Sequence, residues 1–399
     1  MTPEPERHER DLGHGGTLPT VASLTDAVRP VLEAAWRLDD AGGFCVPNPT
    51  TYPWQWLWDS CFHAVVWAHL GDERALRELR SALSTQGDDG FVPHVRYGAG
   101  PFPHAAFWER RDASTITQPP LYGHAVAELT RLGMAPDDEL VWRAQQGVEH
   151  LLRRRRRSPG GLVELCHPWE SGCDDSPRWD DVIPAGRSPE AWYALKGELV
   201  TSIERAASGA PLHNPGFAIG SVGFSALVAW NALEVASVTG DDSLVASARE
   251  LADAIDARWD ADLLTWIDDG PTAAGSGRIR TLDALLPSLL HPRAEVFSAL
   301  TDAAAYGAPC GPRGVHADEP THEPSTYWRG PAWPQLTYLL WLAATSSGSD
   351  EVGSALVRSI LAGAERSGFA EYWDADTGAP LGAVPQTWST LVLPMRIGR

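Results

Sequence analysis

The sequence predicts an all-α fold in which antiparallel helix pairs close into a double ring, the (α/α)6 barrel. Helical periodicity runs through most of the chain from about residue 24, with apolar residues spaced three and four positions apart. Alternating strand patterns are scarce, and FVPHVRYG and LTWIDD are the short candidates. The absence of a fixed sequence period disfavours a repeat array.

Thirteen segments carry the helical pattern, and several end in GDD, SPGG or GSD turns. No linker separates them, so residues 21–399 are expected to form a single domain. Residues 1–20 are expected to be a flexible tail. The arginine run 153–157 is expected to be a solvated helix end. The predicted helices span 24–38, 59–70, 72–85, 117–133, 138–157, 188–207, 219–239, 241–258, 281–289, 293–305, 332–346, 350–366 and 385–394.

Composition and charge exclude several classes of function. The formal net charge of −20 opposes binding to nucleic acid or to an anionic membrane. The N-terminus lacks the apolar segment of a secretion signal, and no apolar run reaches the roughly 20 residues that span a bilayer. Five cysteines without CxxC spacing indicate neither a disulfide framework nor a zinc site. We therefore expect a cytoplasmic enzyme, and a homo-oligomer stays an open alternative.

Tryptophan is the most unusual feature of the composition, with 18 residues. Many stand beside Asp, Glu, Arg or Gln in five segments that interrupt the helical pattern. These segments lie between predicted helices or at helix starts, so they can meet at one end of a double ring, where loops commonly carry function. The five polar-aromatic clusters are PWQWLWDSCFH (53–63), FWERRDASTITQPP (107–120), HPWESGCDDSPRWD (167–180), TYWRGPAWPQ (326–335) and FAEYWDADTG (369–378).

Each cluster also has a purely structural interpretation. Trp54, Trp56 and Trp58 are candidates for core aromatics, and Asp59 is a candidate N-cap for the helix that follows. GPAWP is typical of a turn with proline at a helix start. Sugar recognition needs flat apolar faces together with hydrogen-bonding side chains, and all five clusters supply both. The shared composition therefore favours a carbohydrate site.

Five motifs resemble, in order, the signature blocks of glycoside hydrolase family 63. They are WQWLWDSCFH, TQPP, HPWESGCDDSPRW, YWRGPAWP and FAEYWDADTG. The similarity is strongest to the short bacterial mannosylglycerate and glucosylglycerate hydrolases, and ESGxD also resembles the corresponding motif of family 37 trehalases. It extends from about residue 50 to the C-terminus. The resemblance implies an (α/α)6 barrel and an inverting α-glycosidase.

The resemblance also implies roles for individual residues. The general acid falls on Asp174, the general base on Glu371, and the residue that holds sugar hydroxyls in subsite −1 on Asp59. No metal or cofactor is required, and no His, Asp or Glu spacing indicates one. The other implied substrate-binding residues are Tyr52, Trp56, Trp58, Gln118, Trp169, Glu170, Arg178, Trp328, Arg329, Gly330, Trp333 and Trp388.

The sequence departs from the family pattern at two places. Asp175 stands where asparagine is expected, and it puts a second carboxylate beside the implied acid. The late block is followed by QTWSTL (386–391), where the related pattern carries a Phe-x-Trp segment. We expect the first departure to affect the proton affinity of the acid and the second to reshape the aglycone end of the site.

Hydrolysis with inversion needs two carboxyl groups in opposite protonation states, roughly 6.5–9.5 Å apart. One gives a proton to the leaving oxygen, and the other activates a water molecule on the opposite face of the sugar ring. We therefore expect Asp174 to carry a proton and Glu371 to be ionised, with the two side chains facing each other across a cavity.

The substrate is expected to be small, because the chain has no room for the β-rich domains of the larger glucosidases of this family. A glucosyl or mannosyl glycerate fits this size. Its carboxylate needs a cation, for which Arg110, Arg111, Arg178 and Arg187 are candidates close to the motifs. Trehalose stays an alternative substrate. More distant alternatives are a sugar epimerase or isomerase and a non-catalytic carbohydrate-binding protein.

Overall fold

The structure is a computed structural model that describes residues 18–98, 108, 110 and 112–398. The predicted flexible tail falls largely on residues 1–17, which lie outside the described residues, so its flexibility stays a prediction. Arg111, one of the candidate cations, also lies outside them.

The described residues are rich in helix, as the sequence predicts, and their strands are few and short. Most helices lie where the periodicity places them, although the helix predicted over residues 138–157 ends at Arg153. The twelve α-helices of the described residues are α1 (Val21–Ala35), α2 (Leu57–His69), α3 (Arg74–Ala82), α4 (Tyr122–Arg131), α5 (Asp138–Arg153), α6 (Pro189–Thr201), α7 (Val222–Thr239), α8 (Asp242–Asp256), α9 (Ala294–Thr301), α10 (Pro334–Ser346), α11 (Asp350–Ser367) and α12 (Val392–Ile397).

Proline explains two departures from the predicted helices. α4 begins at Tyr122 and not at residue 117, because Pro119 and Pro120 lack an N–H group and disfavour helical backbone before them. The predicted helix over residues 281–289 is the 3-10 helix Leu282–Leu289, which contains Pro287. A proline inside the segment removes an α-helical hydrogen bond, and a tighter, shorter helix tolerates the loss.

Six helical segments contact one another in a closed order. α2 contacts α4, α4 contacts α7, and α7 contacts the 3-10 helix Leu282–Leu289, which contacts α10. α10 contacts the 3-10 helix Thr387–Leu391, and that helix contacts α2 again. Other helices pack against these six: α3 on α2, α5 on α4 and α7, α8 on α7, and α11 on α10. Nearly all of α2 and α10 is buried, whereas α8 and α11 each bury one face.

α7 is a core helix of this arrangement. Among the described helices it alone is long and apolar enough, by length and composition, to cross a membrane, but 72% of it is buried inside the protein. α4, α5 and α8 all pack against it. Ser221 caps its first turn by accepting a hydrogen bond from the Phe224 N–H, and Gly240 ends it in the left-handed conformation.

The strands of the described residues form two-stranded antiparallel ladders beside the helices. FVPHVRYG and LTWIDD each supply one strand, as predicted, and a ladder at Glu204–Arg205 ends the predicted helix 188–207 early, at Thr201. The ladders are Trp36–Asp39 with Gly42–Cys45, Gln55–Trp56 with Val95–Arg96, Glu164–Leu165 with Ile219–Gly220, Glu204–Arg205 with Pro211–His213, Trp259–Asp260 with Thr265–Trp266, and Tyr372–Trp373 with Pro380–Leu381.

Candidate active site

A cavity of about 350 Å³ collects residues from all five polar-aromatic clusters. Its walls are mostly indole and phenol rings, and three carboxylates face it. We call it the aromatic cavity. Ten of the fifteen residues predicted for the site line it: Tyr52, Trp56, Trp58, Asp59, Gln118, Trp169, Asp174, Trp328, Glu371 and Trp388.

Asp174 faces the aromatic cavity with both carboxylate oxygens held. Oδ1 accepts a hydrogen bond from the Trp328 indole at 3.0 Å, and Oδ2 lies 3.2 Å from the ammonium of Lys196. The backbone of Trp328 is in the left-handed region, at φ +59°. Such a conformation is uncommon for a bulky residue and persists where surrounding packing enforces it. The Trp328 ring is therefore fixed by its surroundings in a position that orients Asp174.

The ring stack behind Trp328 supplies that packing. Trp333 lies parallel to Trp328, with ring centroids 3.5 Å apart and an interplanar angle of 5°. Tyr372 also stacks on Trp333, with ring centroids 4.4 Å apart. Trp333 itself is fully buried and does not line the aromatic cavity. Its predicted role in substrate binding is corrected to one of support for the Trp328 ring.

Glu371 reaches the same cavity from the start of the Tyr372–Trp373 strand. Its Oε1 accepts a hydrogen bond from the Tyr52 hydroxyl at 3.0 Å, and its Oε2 accepts one from the Ala383 N–H at 3.0 Å. Burial raises the pKa of Glu371 to about 7, the negative charge of Asp174 adds to the increase, and the two hydrogen bonds oppose it. A carboxyl group that titrates near neutral pH can act as a base there.

Asp59 lies in the first turn of α2, but it is not the N-cap, a position that Trp56 occupies without a side-chain hydrogen bond. Burial raises the pKa of Asp59 well above its ordinary value. Its Oδ1 has no hydrogen-bond partner among the described residues, and the same is true of Trp56 Nε1 and Gln386 Oε1. Buried polar atoms are nearly always paired. The three residues that carry these unpaired atoms all line the aromatic cavity.

Glu170 is a correction to the predicted site, because it is fully buried and does not line the aromatic cavity. Its carboxylate forms a two-point pair with Arg155, at 2.6 and 2.9 Å. It also accepts hydrogen bonds from the N–H groups of Thr117 and Cys166. Arg155 belongs to the arginine run that was expected to be solvated, so that expectation is wrong for this residue. The hydrogen bond from the Thr117 N–H to Glu170 joins the loop before Gln118 to the loop that carries Asp174.

Arg178, Arg329 and Gly330 also lie off the cavity lining. Arg178 is fully buried and pairs with Asp268 and Asp283. Arg329 forms a two-point pair with Asp180, at 2.9 and 2.6 Å. A Cβ atom on Gly330 would lie 2.3 Å from the carbonyl oxygen of Glu323, so the chain packs too closely there for a side chain. These three residues hold the loops of the site.

Asp175, the residue at the first departure from the family pattern, is directed away from the aromatic cavity. Its carboxylate lies 3.6 Å from Arg329, and it does not line the cavity. Burial raises its pKa to about 6, and the charge of Arg329 opposes that increase. The geometry thus separates the two neighbouring carboxylates, with Asp174 inside the site and Asp175 in the loop contact behind it.

Seven cavity residues were not predicted. Gly172 is required by contact, because a Cβ atom there would lie 2.7 Å from the ring of Trp58. One feature of the sequence could have drawn attention to Lys196, because it is the only lysine of the chain. Those arginines predicted as cations for the substrate carboxylate that the structure describes do not line the cavity. Arg110 pairs with Asp112, and Arg187 is exposed. The seven are Pro47, Gly172, Trp192, Tyr193, Lys196, Tyr327 and Gln386.

One group of possible metal ligands lies within the described residues, away from the cavity lining. Ligand atoms of Cys45, His63 and Glu78 lie within 4.8 Å of one another. Glu78 already accepts hydrogen bonds from the Ser60 hydroxyl at 2.6 Å and from the Cys45 N–H at 2.7 Å. We interpret the group as a buried network that ties α3 to α2. The expectation that the reaction needs no metal stays a prediction.

The chain is similar to known glycoside hydrolases in sequence and in fold. Residues 52–389 match the mannosylglycerate hydrolase MGH1-like glycoside hydrolase domain. The chain is 28% identical to the mannosylglycerate hydrolase of Rubrobacter radiotolerans, over 94% of this chain and 97% of that protein. It is 28% identical to the glucosylglycerate hydrolase of Mycolicibacterium hassiacum, over 88% and 94%. The crystal structure of the GH63 mannosylglycerate hydrolase from Thermus thermophilus in complex with Tris and D-glycerate superposes with a TM-score of 0.76, at 26% identity, over 94% of this chain and 100% of that one.

Proposed function

We propose that this chain, which belongs to the family of mannosylglycerate hydrolase MGH1-like glycoside hydrolases, hydrolyses a small α-mannoside or α-glucoside of glycerate with inversion of configuration. The family establishes the hydrolysis of a glycosidic bond, and the two relatives are named for mannosylglycerate and glucosylglycerate. The observation that carries the proposal is the placement of Asp174 and Glu371, from clusters about 200 residues apart, on one small aromatic cavity.

In the proposed reaction, Asp174 gives its proton to the glycosidic oxygen as the bond from that oxygen to the anomeric carbon breaks. Water attacks the anomeric carbon from the opposite face, and Glu371 accepts the proton that the water loses. The near-neutral pKa of Glu371 supports this role for it. The two carboxyl groups are expected to lie roughly 6.5–9.5 Å apart, which leaves room for the water molecule.

The sugar is proposed to bind through the unpaired polar atoms of the cavity. Asp59 and Gln386 carry acceptors for sugar hydroxyl groups, and Trp56 carries a donor. Each of the three lines the cavity and has a polar atom without a partner among the described residues. The rings of Trp58 and Trp388, which pack edge to face at 5.7 Å, supply apolar surface. Both kinds of contact are needed to hold a sugar in one orientation.

We propose that the six segments in closed contact are the inner ring of an (α/α)6 barrel. The contacts that lead from α2 through α4, α7, Leu282–Leu289, α10 and Thr387–Leu391 back to α2 support this architecture. The outer layer would consist of the helices that bury a single face, such as α8 and α11. Residues 21–399 would then be one domain, with the five polar-aromatic clusters at one end of the ring.

The enzyme is expected to release the β-anomer of the sugar first from mannosylglycerate or glucosylglycerate. Water enters from the face opposite the departing α-linked aglycone, which inverts the anomeric carbon. Proton NMR during the first turnovers, before mutarotation, measures the product directly. Trehalose is the control glycoside without a carboxylate and is expected to be a poor substrate. If the α-anomer is released first, the mechanism is retaining and the roles of Asp174 and Glu371 are wrong. If neither mannosylglycerate nor glucosylglycerate is cleaved, the proposed substrate class is wrong.

Replacing Tyr52 by phenylalanine is expected to move the acidic limb of the kcat/KM profile to higher pH by about one to two units. The Tyr52 hydroxyl stabilises the Glu371 anion, and a hydrogen bond to a charged group contributes about 1.5–3 kcal/mol. In the wild type the limb is expected near pH 7. Tyr193→Phe removes a hydroxyl at the exposed rim of the cavity and is expected to leave the limb in place. An unchanged limb in Tyr52→Phe would show that this hydrogen bond does not tune the base.

A further inference from the structure

Lys196 occupies an unusual place for a lysine. It is the only lysine of the chain, it lies on α6, and it is 6% exposed. Its ammonium lines the aromatic cavity and lies 3.2 Å from Asp174 Oδ2. Among the described residues, Asp174 is the one carboxylate within 4.0 Å of it. The cation of the cavity and the proposed general acid are therefore direct partners.

Aromatic rings hold the ammonium of Lys196 in this position. The nitrogen lies 4.2 Å from the ring centroid of Trp192, 4.9 Å from that of Trp169 and 5.7 Å from that of Tyr193. Each ring face attracts the positive charge, and together the rings surround the nitrogen at the wall of the cavity. A cation in such a cage can exchange one anion for another without moving its chain.

The contact between Lys196 and Asp174 conflicts with the work of a general acid. An ammonium group beside a carboxylate stabilises negative charge on that carboxylate. A general acid must instead carry a proton when the glycosidic bond breaks. The contact between Lys196 and Asp174 therefore fits the protein without substrate. For Asp174 to act as the acid, another anion has to replace it as the partner of the ammonium.

We infer that the carboxylate of the aglycone takes the ammonium of Lys196 from Asp174, so that an anionic substrate itself prepares the acid. This inference rests on the proposed function. In the exchange, the pair of Lys196 with Asp174 is replaced by a pair of Lys196 with the substrate, and Asp174 binds one proton from solvent. Asp174 then transfers that proton to the leaving oxygen, and the departing glycerate carries it away as a hydroxyl group. A neutral aglycone leaves Lys196 on Asp174.

The test compares two glycosides that differ only in aglycone charge, the glycerate glycoside and the glycerol glycoside of the same sugar. The wild type is expected to favour the glycerate glycoside in kcat/KM. Lys196→Gln is expected to lower kcat/KM for the glycerate glycoside by roughly 10- to 100-fold, the size of a lost charge-assisted contact. The same change is expected to raise kcat for the glycerol glycoside several-fold, because Asp174 is no longer held by a cation.

Three controls distinguish this coupling from a structural or simple binding role. Lys196→Arg keeps the positive charge and is expected to keep the preference for the glycerate glycoside. Arg187→Gln removes an exposed cation and is expected to leave the preference unchanged. In the inactive Glu371→Gln protein, calorimetry in two buffers of different ionisation enthalpy is expected to show uptake of close to one proton when the glycerate glycoside binds, and none with the glycerol glycoside.

Two results would overturn the inference while leaving the proposed function intact. The first is an equal loss for both glycosides in Lys196→Gln, which would mark Lys196 as structural. The second is a rise in KM for the glycerate glycoside with kcat unchanged for both and no proton uptake, which would make Lys196 a simple anion contact. If the wild type hydrolyses neither glycoside, the proposed function fails, and the inference fails with it.

Discussion

Asp174→Asn and Glu371→Gln are each expected to lower kcat by roughly 10²- to 10⁴-fold, the range in which a single acid or base contributes to proton transfer. Asparagine cannot give a proton to the leaving oxygen, and glutamine cannot accept one from water. Both amides are close in shape to the native side chains, so the shape of the cavity is expected to stay the same. Initial rates at saturating glycerate glycoside measure the effect.

Asp175→Asn is the matched control for this pair of variants. It removes a carboxylate from the next position in the chain, but that carboxylate contacts Arg329 behind the site. We expect it to retain most of the wild-type kcat. Full activity of Asp174→Asn combined with an inactive Asp175→Asn would mean that the assignment of the acid is off by one residue. Loss of activity in both would mean that the loop contact, and not only the acid, is required.

The sequence alone was enough to predict that the polar-aromatic clusters meet at one place. Trp58, Gln118, Trp169, Trp328 and Glu371 come from five distant segments, and all five line the aromatic cavity. Local patterns sufficed because helical periodicity is visible along the chain and the clusters interrupt it. In a closed arrangement of helices, interruptions at the same end of successive helices meet whatever their separation in sequence.

Charged residues inside the motifs were harder to assign. Glu170, Arg178 and Arg329 share the motifs with cavity residues, yet each is used in an internal ion pair. A buried charge is costly unless it is paired, and the partners Arg155 and Asp268 lie in segments that no motif marks. Sequence similarity marks the loops that form the site, but it does not separate the side chains that face the cavity from those that hold the loops.

Lys196 was missed for the opposite reason. It stands in the ordinary amphipathic segment PEAWYALKGELV, where a lysine on a helix is usually a solvated surface residue. Its burial depends on α6 lying against the loop of Trp169 and Asp174, a tertiary contact that periodicity does not reveal. The one feature of the sequence that could have pointed to Lys196 is that it is the only lysine. In a chain whose other strongly basic residues are all arginine, a single lysine stands out.

Glu371→Gln is also expected to stabilise the protein at high pH while it removes activity. Burial raises the pKa of Glu371 from an ordinary value of 4.5 to about 7, so the folded protein binds this proton more tightly than the unfolded chain does. The favourable contribution of the protonated group is complete below about pH 4.5 and is lost as the pH rises through about 7. At pH 8.5 the buried anion therefore costs the wild type about 3 kcal/mol, and glutamine avoids that cost.

Urea unfolding of the wild type and of Glu371→Gln at pH 4.5 and pH 8.5 measures this difference. The free energy of unfolding of the variant relative to the wild type is expected to increase by about 3 kcal/mol between pH 4.5 and pH 8.5. Glu365→Gln, at an exposed position, controls for the removal of one negative charge from an acidic protein and is expected to show little of this pH dependence. A constant difference between Glu371→Gln and the wild type would mean that the folded protein does not hold Glu371 at a raised pKa. The native site would then keep the base ionised at no expense to stability, and the acidic limb of the activity profile would lie well below pH 7.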